Sequence, residues 1–133
     1  MTGNPGNHVL IVDDNAPNVM VAVAMLDMLE CTYSVAVNGV QGLQKFLSGQ
    51  YDLILMDVQI PVMSGLETTE RIRAIERQNG LKRTPITMMS AHIDNSNMHI
   101  GVNAGMDDMI PKPFHPDYFS KMINKYCGVQ KVA

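Results

Sequence analysis

Short apolar runs that stop abruptly on polar residues recur along this chain, with stretches of helical periodicity between them. The first run, His8-Val9-Leu10-Ile11-Val12, ends at Asp13-Asp14. Its length and β-branched content predict a strand buried on both faces. Asn15 and Pro17 follow as helix-start residues, since Asn caps a helix and Pro is tolerated in its first turn. Val19, Ala22, Val23, Leu26 and Leu29 then repeat at helical spacing, which predicts a helix with one apolar face. Further strands are expected at Tyr33–Val37, Asp52–Met56, Pro85–Met89 and Asp107–Ile110. Further helices are expected near Val40–Ser48, Gly65–Gln78, Asp94–Ala104 and Pro116–Tyr126. In the last of these, Phe119, Met122, Ile123 and Tyr126 fall at i, i+3, i+4 and i+7.

Five strands alternating with five helices imply right-handed βαβ crossovers and an α/β fold, a doubly wound parallel sheet covered on both faces. Ligands of such sheets sit outside the carboxyl ends of the strands, where strand order reverses. The polar residues just past each apolar run therefore matter most. They are Asp13 and Asp14 after the first strand, Asp57 after the third, Ser90 with Ala91 after the fourth, and Lys112 with Pro113 beyond the fifth. Three carboxylates and one ammonium on one edge leave a local formal charge of −2. Close carboxylates repel and raise one another's pKa. A hard divalent cation with oxygen ligands, Mg²⁺ above all, removes that cost. Each residue also has a plainer reading: an Asp after a strand caps the next helix, Ser90 makes a turn, and Lys112 lies on the surface.

Composition narrows the classes. With 133 residues, 46% of them hydrophobic, the chain holds one domain with a sizeable core. Ten basic and thirteen acidic residues give a net charge of −3, which disfavours nucleic acid as a partner. Cys31 and Cys127 lie far apart in sequence, outside any zinc-ligand spacing, so neither a disulfide framework nor a zinc site is expected and a cytoplasmic location fits. The longest apolar run, Val19 to Leu26, falls well short of the ~18 residues a membrane span needs, so no membrane insertion is expected. Residues 1–7 read as a flexible leader, 8–127 as the domain and 128–133 as a short tail.

Four segments carry a family resemblance: Ile11-Val12-Asp13-Asp14-Asn15, Met56-Asp57-Val58-Gln59-Ile60-Pro61-Val62-Met63-Ser64-Gly65, Ser90-Ala91 and Lys112-Pro113-Phe114. In order and spacing, from about Val9 to Tyr126, they resemble the receiver domain of two-component response regulators. The resemblance implies a flavodoxin-like receiver fold with strand order 2-1-3-4-5. It makes Asp57 the phosphoacceptor, which takes a phosphoryl group from a phosphohistidine of a histidine kinase or histidine phosphotransfer protein. It assigns Mg²⁺ to Asp13, Asp14, Asp57 and the backbone carbonyl of Gln59. It gives phosphoryl binding to Lys112, Ser90 and the Ala91 backbone, with Ser90 moving once the phosphoryl group arrives. A cis Lys112–Pro113 peptide is implied as well. Gln59 and His92 would tune the phosphoryl lifetime, or else are exposed loop residues.

Departures from the pattern are few. Ser64 stands where an Asp is frequent, and Ser64-Gly65-Leu66-Glu67 reads as a capping box. Ile60 replaces a frequent Met, a packing change. Met109 stands where many receivers carry a Tyr or Phe that swings inward, so the aromatic half of that switch is missing. The fourth helix, rich in Asn and carrying Gly101, is expected to be the least stable element. Five methionines, Met88, Met89, Met98, Met106 and Met109, lie in or beside it and read as soft core packing or an adaptable binding surface. Arg71, Arg73, Arg77, Lys82 and Arg83, interleaved with Glu67, Glu70 and Glu76, read as a solvated helix face, with a docking patch as the alternative.

The expected function is a signalling switch rather than an enzyme, assisting only its own phosphorylation and dephosphorylation. Its output would be an unnamed protein target bound by the fourth helix, fifth strand and fifth helix. Seven residues follow Tyr126, too few for an output domain, so a single-domain receiver or one belonging to a larger hybrid kinase is expected. A pseudo-receiver scaffold that never carries phosphate and a Mg²⁺-dependent phosphohydrolase are the alternatives.

Overall fold

The structure, a computed structural model, describes residues 7–60, 62–91 and 93–127. Its elements are β1 (His8–Val12), α1 (Ala16–Met28), β2 (Thr32–Ala36), α2 (Gly39–Ser48), β3 (Leu53–Asp57), α3 (Gly65–Asn79), β4 (Ile86–Ser90), α4 (Asn95–Ala104), β5 (Asp108–Pro111) and α5 (Pro116–Cys127). All five expected strands are present. β1 lies where it was placed, and each of the others differs from its expected span by one residue at either end. The shift has a consequence at the carboxyl edge: Asp57 and Ser90, expected just after strands, are the last residues of β3 and β4.

Local chemistry explains where the helices begin. Asn15, Asn38, Ser64 and Asp94 precede α1, α2, α3 and α4, and each side-chain oxygen accepts from the backbone N–H three residues on. Such a cap satisfies one of the unpaired donors of the first turn. At α3 only half of the expected capping box forms. Ser64 Oγ accepts from Glu67 N–H at 3.1 Å, while the Glu67 carboxylate turns to Arg71 at 3.0 Å. Gly80 and Gly105 end α3 and α4 in the left-handed region, with φ of 64° and 113°.

The strands form one parallel sheet in the order β2-β1-β3-β4-β5. Order therefore reverses between β1 and β3, whose carboxyl ends carry Asp13, Asp14 and Asp57. Successive strand residues face opposite sides. Val9, Ile11, Leu53, Leu55, Met89 and Ile110 pack with Leu26 of α1 and Phe119, Met122 and Ile123 of α5. Leu10, Val12, Ile54, Met56 and Ile86 pack with Phe46 of α2 and Ile72 of α3. Met88, Met106 and Met109 form a third, smaller cluster with Val58 and Leu66. Of the five methionines around α4, Met88, Met89, Met106 and Met109 are thus core, and only Met98 is exposed. No helix among the described residues is long and apolar enough to cross a membrane.

Three expectations change. First, α1 is not apolar on one face only. It buries Ala22 and Leu26, yet Met20 and Met28 stand 70% and 82% exposed beside exposed Val21. Second, the charged face of α3 is not all solvated, because Arg73 and Glu76 are buried. Arg73 donates to Glu76 at 2.8 Å, to Asp107 at 2.7 Å, to the Thr84 carbonyl at 2.8 Å and to the Gly105 carbonyl at 2.9 Å. Glu76 and Asp107 in turn accept from the Thr84 and Ile86 N–H groups, so one guanidinium secures the approach to β4 and β5. Arg83 adds a second link to Asp107 and the Gly105 carbonyl. Third, Asn7, expected in the leader, is buried, and its carbonyl accepts from the Thr32 N–H at 2.9 Å.

Candidate functional site

At the carboxyl edge the three acids come together. Asp13 is 1% exposed and Asp57 4%, while Asp14 faces solvent. One carboxylate oxygen from each lies within 4.8 Å of the others. The backbone holds two of these side chains in place. Asp13 Oδ1 accepts from the Asn15 N–H at 2.8 Å, and Asp57 Oδ1 accepts from the Gln59 N–H at 3.1 Å. The start of α3 presses on the end of β3, since Gly65 N–H donates to the Val58 carbonyl and a Cβ on Gly65 would collide with the carbonyl oxygen of Asp57. Only glycine permits that approach.

Lys112 supplies the cation. Its Nζ donates to Asp57 Oδ2 at 2.9 Å and stands 3.8 Å from Asp13 Oδ2. The longer separation is too great for a hydrogen bond. Asp13 Oδ2 is consequently buried with no donor, although it feels the ammonium field. The Lys112–Pro113 peptide is cis, and the Lys112 N–H donates to the Ser90 carbonyl at 2.9 Å, tying the ends of β4 and β5 together. Burial pushes the Asp13 carboxyl up to about 6. The Asn15 N–H opposes that rise, the Asp57 charge adds to it, and Lys112 counters it.

A cavity of about 310 Å³ opens inward from this edge toward α4. Asp57, Ser90, Ala91 and Lys112 form its polar side, and Met88, Met109, Leu66 and Ile100 its apolar side. Gln59 is exposed at its rim. Met109, at the position where an aromatic was missed, is 5% exposed and packs with Met88 and Met106. His92, expected to influence phosphoryl lifetime, lies outside the described residues. Asp13, Asp14, Asp57, Ser90, Ala91 and Lys112 all lie at the carboxyl edge, Asp57 and Ser90 as the last residues of their strands, and Gln59, named through the resemblance, lies two residues past Asp57.

The donor set suits a hard divalent cation. Three carboxylates against one ammonium leave negative charge in excess, and a buried carboxylate oxygen lacks a donor. An ion such as Mg²⁺, which prefers a few carboxylates plus water, meets both needs.

Two features escaped the sequence reading. The Arg73 network carried a signal: Thr69, Ile72, Arg73 and Glu76 follow i, i+3, i+4, i+7 spacing and all are buried. The outer apolar side of α1 was visible in the unbroken run from Val19 to Leu26.

Comparison with known proteins agrees with this geometry. Residues 9–124 match the family described as response regulator receiver domain. The chain is 39% identical over 120 residues to the hybrid signal transduction histidine kinase G of Dictyostelium discoideum, covering 89% of this chain and 3% of that one. It is 33% identical over 126 residues to the aerobic respiration control sensor protein ArcB of Escherichia coli, covering 95% of this chain and 16% of that one. It thus spans a small part of either relative. Among solved structures, the receiver domain of a Pseudomonas aeruginosa sensor histidine kinase, with magnesium coordinated in its active-site cleft, superposes with a TM-score of 0.81 at 32% identity, covering 92% of this chain and 98% of that one. The receiver domain of Ssk1 from Saccharomyces cerevisiae, crystallised with the histidine phosphotransfer protein Ypd1, gives a TM-score of 0.84 at 32% identity, covering 91% of this chain and 88% of that one. The order of the strands, the acids at their reversal and the match along nearly the whole domain lead to one conclusion: the chain belongs to the response regulator receiver domain family of two-component signalling.

Proposed function

We propose that Asp57 accepts a phosphoryl group from a phosphohistidine of a histidine kinase or histidine phosphotransfer protein, and that residues 8–127 thereby switch a protein-binding surface. The observation that carries this reading is the position of Asp57, a buried carboxylate paired with Lys112 and flanked by Asp13 and Asp14. A carboxylate oxygen of Asp57 attacks phosphorus, the P–N bond to the donor imidazole breaks, and its electron pair stays on that nitrogen. Lys112, already on Asp57 Oδ2, offers its ammonium to the phosphoryl oxygens as negative charge is brought in. The Ser90 hydroxyl and the Ala91 N–H, beside Asp57 around the cavity, bind the transferred group. Asp13, Asp14, Asp57 and the Gln59 carbonyl would hold Mg²⁺, which supplies charge neutralisation between two anions. Gln59 at the rim and His92 beyond Ala91 regulate the approach of hydrolytic water.

Two surfaces serve partners. The apolar outer side of α1, with Met20, Val21 and Met28, starts near Asp14 and offers a phosphohistidine-bearing protein a dry seat next to the site. The co-crystallised Ssk1 receiver supports such a partner. The α4–β5–α5 face, with Met98, Ile100 and Val102 exposed on α4, carries the output to a protein target. The chain acts on no substrate beyond its own phosphoryl group, works in the cytoplasm, and needs neither nucleic acid nor membrane insertion.

The test is incubation with acetyl phosphate or a phosphorylated partner plus Mg²⁺, read by intact mass. A gain of ~80 Da that is absent in Asp57→Asn supports the reading. No gain with either donor indicates a non-phosphorylated scaffold, and repeated turnover of a small phosphoester indicates a hydrolase.

A further inference from the structure

The exposed side of α1 is a stripe. Pro17, Val21, Ala24 and Met28 follow one another at i, i+4, i+7 and i+11, all exposed, with exposed Met20 beside Val21. Asp27 is the single charged residue of the helix, so little that is polar interrupts the stripe. Two thioethers stand in it, Met20 70% and Met28 82% exposed. Eight residues separate them, about 12 Å along the helix axis, a span that one docked protein covers. Elsewhere methionine is mostly enclosed: Met88 and Met89 are fully buried and Met109 nearly so. Among the described residues Met98, 43% exposed on α4, is the one further methionine in the open. Because α1 starts at Ala16, two residues past Asp14, the stripe runs directly away from the acid edge.

We propose that Met20 and Met28 are peroxide-sensitive modification sites that set which phosphoryl donor the chain accepts. As thioethers they admit a phosphohistidine-bearing protein onto α1; as sulfoxides they exclude it, while a small-molecule donor still reaches Asp57. The inference rests on α1 being the donor's seat, as proposed above, and adds a chemical control to it. In the reaction a sulfur lone pair attacks one peroxide oxygen and the O–O bond breaks. The departing oxygen keeps the electron pair and takes the proton from the oxygen now on sulfur, leaving as water. Each sulfur is oxidised by two electrons, and one peroxide is reduced. The new oxygen is a polar acceptor, and pressing it against an apolar partner without a donor costs free energy. Ala22 and Leu26 hold α1 from its opposite side, and Asp57 with Lys112 lies at the strand ends. Oxidation therefore alters the seat and leaves both the core and the phosphoacceptor intact.

The experiment treats the folded chain with hydrogen peroxide, maps the oxidised peptides, and measures phosphorylation of Asp57 from two donors with Mg²⁺. One donor is acetyl phosphate; the other is a phosphorylated histidine phosphotransfer protein that serves the untreated chain, Ypd1 being the first to try. Gains of about 16 Da at Met20 and Met28 should precede any at Met88, Met89 or Met109. Transfer from the protein donor should then slow by roughly tenfold, the loss expected of one interface anchor, while acetyl phosphate keeps its rate. Methionine sulfoxide reductases for both epimers should restore transfer. In a chain carrying Met20→Leu and Met28→Leu, peroxide should no longer change the transfer rate, whereas Met98→Leu alone should leave the sensitivity in place. Unchanged protein transfer to the doubly oxidised chain would overturn the proposal. Equal slowing with both donors would do so too, as would a peroxide effect that survives in the leucine double variant. Absence of a phosphoryl adduct from acetyl phosphate before any peroxide is added would instead overturn the phosphoacceptor reading, and this inference with it.

Discussion

Lys112 Nζ is 2.9 Å from Asp57 Oδ2 but 3.8 Å from Asp13 Oδ2, so this cation bonds the proposed phosphoacceptor and leaves one oxygen of the deeper acid without a donor. That asymmetry makes Lys112 a partner of Asp57 first. Replacing Lys112 with Met should leave Asp57 buried and unpaired in the metal-free chain. The expected loss is about 1–3 kcal/mol in urea unfolding, smaller when Mg²⁺ is added, with slower phosphoryl acceptance. Equal losses with and without Mg²⁺ would refute the assignment.

Asp13 predicts a pH dependence of definite sign. Its folded-state pKa, about 6, lies above the ordinary 3.8. Between those values the folded chain binds more protons than the unfolded one, so stability falls as pH rises from about 4 to about 6 and then levels. The contribution is up to about 3 kcal/mol. Unfolding of the metal-free chain and of Asp13→Asn across this window should show the difference shrinking as Mg²⁺ is supplied. A wild-type minus variant difference that rises with pH would contradict the structure.

Arg73 should be the costliest charged residue to remove. Arg73→Ala leaves the buried Glu76 without its cation and the Thr84 carbonyl without its guanidinium donor, while Asp107 and the Gly105 carbonyl keep Arg83, a loss of about 3–5 kcal/mol by urea unfolding. Arg73→Lys keeps the charge without the planar fork and should recover only part. A double-mutant cycle with Asp107→Asn should show coupling, whereas additive losses would mean the network is not cooperative.

Gly65 ties stability to the site. A methyl group there meets the Asp57 carbonyl oxygen, so Gly65→Ala must move either α3 or the end of β3. Weaker Mg²⁺ binding, measured calorimetrically, and a stability loss of about 1–3 kcal/mol are expected together. Mg²⁺ affinity unchanged from wild type would show that α3 yields instead.

Strand identity and site membership were readable because both follow from short-range rules. An apolar run that stops on Asp13 or just before Asp57 marks a strand end, and parallel topology carries all such ends to one edge. Arg73 was misread because charge outweighed spacing: its position belongs to the buried side of α3, but its partners, Gly105 and Asp107, lie more than thirty residues on. Met109 was correctly seen to lack an aromatic ring, but that it is already buried beside Met88 depends on three-dimensional packing.

The unbroken apolar run of α1, from Val19 to Leu26, has an orientational consequence. A helix with polar residues on one side has a single favourable roll angle about its axis, whereas one that is greasy all round gains little from hydrophobicity by choosing one roll over another. For α1 the choice falls to shape and tethering. Ala22 and Leu26 supply the small and large elements that face the sheet, and Asn15 holds the first turn by accepting from the Asn18 N–H at 2.9 Å. The side left in water, Met20, Val21 and Met28, is thus not excess grease misplaced by the fold but the remainder of a fit decided by size.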